Sequence, residues 1–183
     1  MPRTVDYYSI ALEQTPECAR RIGIILGLFA MVEFRLVETV RWIADTHRDL
    51  ALVSLGSHKG FAAKIEYVAA ICRWTQPDWP RDSEAGATFV RALRIANSIL
   101  NKYAHSRYSK AGSQMLRLEV ANQMGKADSV ERADIQALDE DILFLKHLIV
   151  AMINYCEARG RGQESDLSEL RQAIDDAHPN RPV

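Results

Sequence analysis

Apolar side chains recur at three- and four-residue spacing in four stretches of the chain, the period of an amphipathic helix. The first opens at Thr15-Pro16-Glu17, an N-cap followed by a proline at the first helical position and an acid in the first turn, and runs to about His47. At about 100° per residue, Leu26, Phe29, Leu36, Val37 and Val40 share a stripe with Glu33 at its centre. Glu33 is therefore expected to be buried, either in a structural ion pair, as acceptor for a loop amide, or in a functional role. A second helix is expected from about Ser57 to Trp74, opened by Gly56-Ser57 and burying Phe61, Ile65, Val68 and Cys72. Gln76 to Ser83, with Pro77 and Pro80, reads as a connecting loop. The third helix then runs from about Ser83 to Ala104 and buries Phe89, Leu93, Ala96 and Leu100. A fourth, from about Ala133 to Ala158, carries the seam Ile135, Leu138, Ile142, Leu145, Ile149, Met152 and Cys156. That seam wants a partner helix, inside a bundle or across a dimer.

Between the third and fourth helices the period changes to two. Met115, Leu116, Leu118 and Val120 are interleaved with polar residues, and a turn at Asn122 to Gly125 leads to a shorter segment ending at Val130, which together predict a two-stranded hairpin. Beyond Arg159 the chain is mostly polar, with Gly160, Gly162, Pro179 and Pro182 and one short helix expected from Asp166 to Ile174. The expected architecture is all-α: four to five main helices in a bundle, with a small β-hairpin before the last long helix. Residues 1–158 form one domain in this scheme and 159–183 a peripheral tail, and 183 residues suit one core better than two.

Charge narrows the possible partners. Twenty-three basic and twenty-four acidic side chains give a net charge of −1, which argues against a broad electropositive surface for duplex DNA while leaving room for a small local basic cleft. The longest apolar run, Ile22 to Val32, is too short for a bilayer span of roughly 20 residues, so no membrane association is expected. The first residues lack the basic segment and apolar stretch of a secretory signal, and Cys18, Cys72 and Cys156 are far apart and set among helical neighbours. The expected location is the cytoplasm, without disulfides or a zinc knuckle.

Gly-rich phosphate loops, the G-x-S-x-G elbow, H-E-x-x-H and Cys/His ligand clusters are all missing from the sequence, so no metal or cofactor is expected. Of five histidines only His105 stands among polar groups aligned by helix geometry: Arg94, Asn97, Asn101 and His105 gather on one flank, within about 80° of one another. The segment Leu100-Asn101-Lys102-Tyr103-Ala104-His105 resembles the terminal motif of HEPN-domain proteins, the higher eukaryote and prokaryote nucleotide-binding superfamily. In that motif an arginine and a polar residue, often asparagine, precede a histidine by a short spacer. Asn101, Ala104 and His105 match, while Leu100 stands where the family carries arginine. The resemblance extends from about Glu17 to Tyr155 through a long first helix with an internal acid, a Gly-Ser-x-x-Gly-Phe turn before the second helix, and a final packing helix.

The resemblance implies a HEPN-like bundle, a homodimer, and metal-independent endoribonuclease activity of a toxin–antitoxin or phage-defence system. RNA or a nucleotide would be the ligand, and a cognate antitoxin or nucleotidyltransferase the partner. It casts His105 as acid/base and Asn101 as hydrogen-bond donor to phosphate or sugar; Arg94 or Arg107, at other spacings, would have to supply the missing cation. An imidazole titrating near neutral pH at a helix C-terminus suits the first role. Loss of the motif arginine removes stabilisation commonly worth a few kcal/mol, roughly 10²-fold in rate. The alternative is a non-catalytic dimeric regulatory or protein-interaction module in which His105 caps carbonyls, Asn101 bonds a neighbouring helix or Glu33, and Leu100 belongs to the core.

Overall fold

The computed structural model describes residues 7–44, 47–75, 80–121 and 127–177. In chain order they form α1 (Tyr7–Glu13), α2 (Pro16–Ile43), α3 (Arg48–Ser57), α4 (Phe61–Thr75), α5 (Pro80–Ala104), β1 (Ser106–Gly112), β2 (Met115–Ala121), β3 (Ala127–Asp134), α6 (Ile135–Gly160) and α7 (Ser168–Ala177). The protein is thus mainly helical with a small antiparallel sheet. Among the described residues no helix is long and apolar enough to cross a membrane. Contacts divide the chain into two compact units, one from Met1–Leu28 and Ser98–Leu143, the other from Phe29–Asn97 and Phe144–Val183.

The second unit is a closed ring of four helices. From α2 to α4 the contacts are a Phe29–Phe61 ring pair at 4.6 Å and the Lys64–Glu33 ion pair at 3.0 Å. From α4 to α5, Gly86 passes so close to Cys72 that a Cβ there would stand 2.7 Å from the thiol sulfur, which explains glycine inside a long helix. Phe89 and Tyr155 meet edge to face at 5.2 Å between α5 and α6. The ring closes where Thr39 Oγ1 lies 3.9 Å from Cys156 Sγ and Gly160 backs onto the Trp42 indole. Helix α7 docks on α5 through Arg171–Glu84 at 3.0 Å and Arg91–Asp175 at 3.4 Å, with Leu167, Leu170 and Ile174 buried. The segment expected to be a peripheral tail thus contributes to a core.

The first unit wraps the sheet, in the order β1-β2-β3, with α1, the start of α2, the end of α5 and the start of α6. Leu116 and Leu118 of β2 are fully buried, Tyr108 and Ala133 buried beside them on β1 and β3. At the start of α2, Pro16 takes the first helical position as expected, but the Thr15 hydroxyl turns back and donates to the Ala11 carbonyl of α1 at 2.8 Å. Arg21 ties α2 to α6 by donating to Asp139 at 2.7 Å.

Several expectations need correction. The first long helix ends at Ile43; Asp45 and Thr46 lie outside the described residues, and 48–57 form a separate helix. That helix, α3, buries only Ala51 and Leu55, too short a pattern to recognise from spacing. Gly56-Ser57 therefore closes α3 instead of opening α4. The reversal is made at Gly60, whose φ of 86° is left-handed and whose carbonyl accepts the Lys64 N–H of α4. Pro80–Ser83 are helical, with Pro80 opening α5, while 76–79 lie outside the described residues. The hairpin is a three-stranded sheet, because β1 was hidden in the polar stretch Ser106–Gly112; the expected turn at 122–125 lies outside the described residues. On α2 the buried stripe passes through Val32, Leu36 and Val40, leaving Val37 44% exposed and Leu26 39% exposed. Glu33 is accordingly not buried; its side chain is 39% exposed in the Lys64 pair, the structural role among those expected. Leu100 is half-buried, and Ile99 and Tyr103 take the core positions on that turn of α5.

Phe89, fully buried, and Phe34, 66% exposed, give a direct contrast. Phe89→Ala should lower unfolding free energy by about 3–5 kcal/mol, whereas Phe34→Ala should change it by about 0.5 kcal/mol or less, both measured by urea denaturation.

Candidate functional site

An α-helix leaves its last four carbonyls without partners, and α5 has no glycine to close it. Local side chains complete the turn instead. The Asn101 carbonyl accepts the His105 N–H at 3.3 Å. The Lys102 carbonyl accepts the Ser106 hydroxyl, and the Tyr103 carbonyl accepts the Tyr108 hydroxyl from one pleat into β1. Tyr103, 2% exposed, reaches across to α6 and donates its own hydroxyl to Asp141 Oδ2 at 2.6 Å. Lys102 Nζ donates to the same oxygen at 3.3 Å and lies 4.9 Å from the Tyr103 ring, so the carboxylate is balanced by an adjacent cation.

This clamp decides what the neighbouring side chains are free to do. With the carbonyls satisfied by Ser106 and Tyr108, His105 does not cap them with its ring; only its backbone N–H takes part. The imidazole is exposed just beyond the end of α5, and Asn101 is exposed one turn before it. Neither side chain has a hydrogen-bond partner among the described residues. The structural roles expected for both are therefore not the ones they play here: Asn101 bonds no neighbouring helix, and Glu33 is held by Lys64.

The two candidate cations have other neighbours. Arg94 is exposed on α5 and donates to Glu66 of α4 at 3.0 Å, on the surface of the second unit. Arg107 is exposed on β1, in register opposite Glu119 of β2. His105 and Asn101 thus share one helix end, with Arg107 two residues beyond; Arg94 belongs to an ion pair on α4. A groove of about 800 Å³ lies between the β1–β2 turn and the first turns of α6, lined by residues including Met115, Ile135, Asp139, Glu140 and Leu143. None of the four candidate residues lines it. Among the described residues no three His, Cys, Asp or Glu side chains gather as metal ligands. The clamp formed by Tyr103, Tyr108 and Asp141 is not predicted by the apolar spacing, although two tyrosines flanking the helix end are a usable signal for it.

Comparison with protein-family models, curated proteins and solved structures gives no match.

Burial, then the nearby Asp141 charge, holds Tyr103 protonated well above the ordinary tyrosine range, and burial pushes Tyr108 up to about 12. The folded state therefore prefers neutral phenols. The Tyr108 contribution is full below the ordinary pKa near 10 and is lost as pH rises through that value towards about 12. Tyr108→Phe should make the alkaline decline shallower, seen in urea midpoints collected from neutral pH to about 12; an unchanged decline would contradict the assignment.

Proposed function

We propose that the chain is a HEPN-like helical protein of the cytoplasm that works as a homodimeric interaction module without phosphoryl-transfer chemistry of its own. Leu100 carries this conclusion: it stands, half-buried, where the resembled motif has the arginine that stabilises the phosphorane. No candidate replacement is poised for that task. Arg94 is engaged with Glu66, and Arg107 belongs to the sheet. A catalytic imidazole also needs groups that orient it, and the exposed His105 ring has none among the described residues.

Dimer formation is supported by α2. Within the second unit its flanks are used by α4 and α6, yet Met31, Phe34 and Val37 repeat every three residues on the side left over and are 47%, 66% and 44% exposed. An apolar stripe of this kind on a soluble bundle marks an interaction surface, and an isologous pairing of two copies would cover both stripes at once.

The exposure of Asn101 and His105 favours a second reading. Side chains with no structural duty are available for chemistry, and a partner copy could bring Arg107 to the missing arginine's place. In that case the protein is a metal-independent ribonuclease with His105 as acid/base.

Incubating the purified protein with a mixed single-stranded and structured RNA pool in EDTA separates the two. The module should sediment as a dimer and leave the RNA intact at high concentration. Cleavage that disappears in His105→Ala would overturn the non-catalytic assignment and establish the ribonuclease.

A further inference from the structure

The outer face of the three-stranded sheet carries a charge pattern that packing does not require. Leu116 and Leu118 of β2 point to the core, so Arg117 and Glu119 point away from it. Register extends that face across all three strands. Ser109 stands opposite Arg117, and Arg117 opposite Arg132; in the next row Arg107 stands opposite Glu119, and Glu119 opposite Val130. The register shifts in both ladders fall elsewhere, between Lys110 and Gly112 and between Val120 and Ala121.

Arg117 and Arg132 are therefore directly opposed like charges on neighbouring strands, with Cβ atoms about 5 Å apart, an arrangement that destabilises a sheet unless an anion relieves it. Glu119 relieves it only in part: its contact with Arg117 is 3.6 Å, longer than a good charge-assisted hydrogen bond. Asp134, beyond the same rows, is committed elsewhere, its Oδ1 accepting the Ala137 N–H at the start of α6. Glu131 pairs with Leu118 and so belongs to the opposite face. Among the described residues the opposed pair Arg117–Arg132 thus has Glu119 as the one acid beside it in these two rows, on a chain whose net charge is −1.

We propose that this face binds the sugar-phosphate backbone of a single nucleic-acid strand. Arginine forks take phosphate oxygens two at a time, and the opposed pair Arg117–Arg132 brings two forks to one place, with the Ser109 hydroxyl in the same row. Arg107 lies diagonally from Arg117, about 7 Å away by strand geometry, close enough to take the neighbouring phosphate. Among the described residues the face carries no aromatic side chain, and Val130 is the large apolar residue in its two rows, Met115 lying beyond them at the groove; it also lacks the amphipathic helix by which proteins lie on lipid. Backbone contacts of this sort ignore base sequence and sugar type. The site is independent of whether His105 cleaves RNA, since a DNA strand, which has no 2′-hydroxyl, binds the same way.

Fluorescence anisotropy with a short mixed-sequence RNA, and with DNA of the same sequence, measured in EDTA across a KCl series, tests this. Wild type should bind both strands, with log K falling against log salt by about 0.7 per phosphate contacted. Arg117→Gln/Arg132→Gln should weaken both by about tenfold or more and flatten the salt slope by about 0.7 or more. Arg73→Gln, which removes an exposed cation from α4, should bind as wild type does. The double variant should also melt no lower than wild type, because it removes opposed like charges. The proposal fails if the double variant binds normally, if Arg73→Gln loses as much, if wild type binds neither strand at low salt, or if polyglutamate competes better than polyphosphate.

Discussion

The hydroxyl of Tyr103 on the carboxylate of Asp141 is the contact on which the candidate region depends. It joins the last turn of α5 to α6 from a buried position, and a hydrogen bond to a charged acceptor contributes about 1.5–3 kcal/mol. Two further consequences follow from the same turn. The Tyr103 carbonyl, an orphan of the helix end, is satisfied by Tyr108, which fixes where β1 begins; the Lys102 ammonium neutralises the charge that Tyr103 needs as acceptor. Helix end, strand start and interhelical contact are thus one network, and such networks hold only when every member is satisfied.

Asn101 and His105 are exposed because that network is complete without them. Both side chains are displayed on the surface, while Leu100 beside them is half-buried. The sheet that starts at Ser106 then carries arginines outward next to that helix end, in a chain with almost no net charge. Local charge and global charge are separate properties, and a balanced composition hides a compact basic face readily.

Legibility in the sequence followed the length and regularity of the pattern. Helices α2, α5 and α6 were readable because each repeats its apolar positions over six or more turns, and the α6 seam from Leu138 to Met152 is buried where spacing put it. Helix α3 was not, since two buried residues make no period, and β1 was not, since its sequence SRYSKAG has one apolar contact, Tyr108, amid polar residues. Pro80 read as a breaker although a proline equally opens a helix. Glu33 was misplaced by a small angular error: the true stripe runs through Val32 and Leu36, which turns the carboxylate to the flank where Lys64 meets it. At the candidate site, the sequence pattern placed Asn101 and His105 together at the end of α5, and the structure exposes both there. Their freedom from structural duty was not legible, because it depends on what Tyr108 and Ser106 do several residues later.

The most direct test of that freedom is the unfolding free energy of the double variant Asn101→Ala/His105→Ala, measured in urea at neutral pH. If the Tyr103, Ser106 and Tyr108 contacts close the helix end unaided, the variant should match wild type to within about 0.5 kcal/mol. A loss of about 2 kcal/mol or more would mean that Asn101 and His105 hold the helix end themselves, contradicting the account.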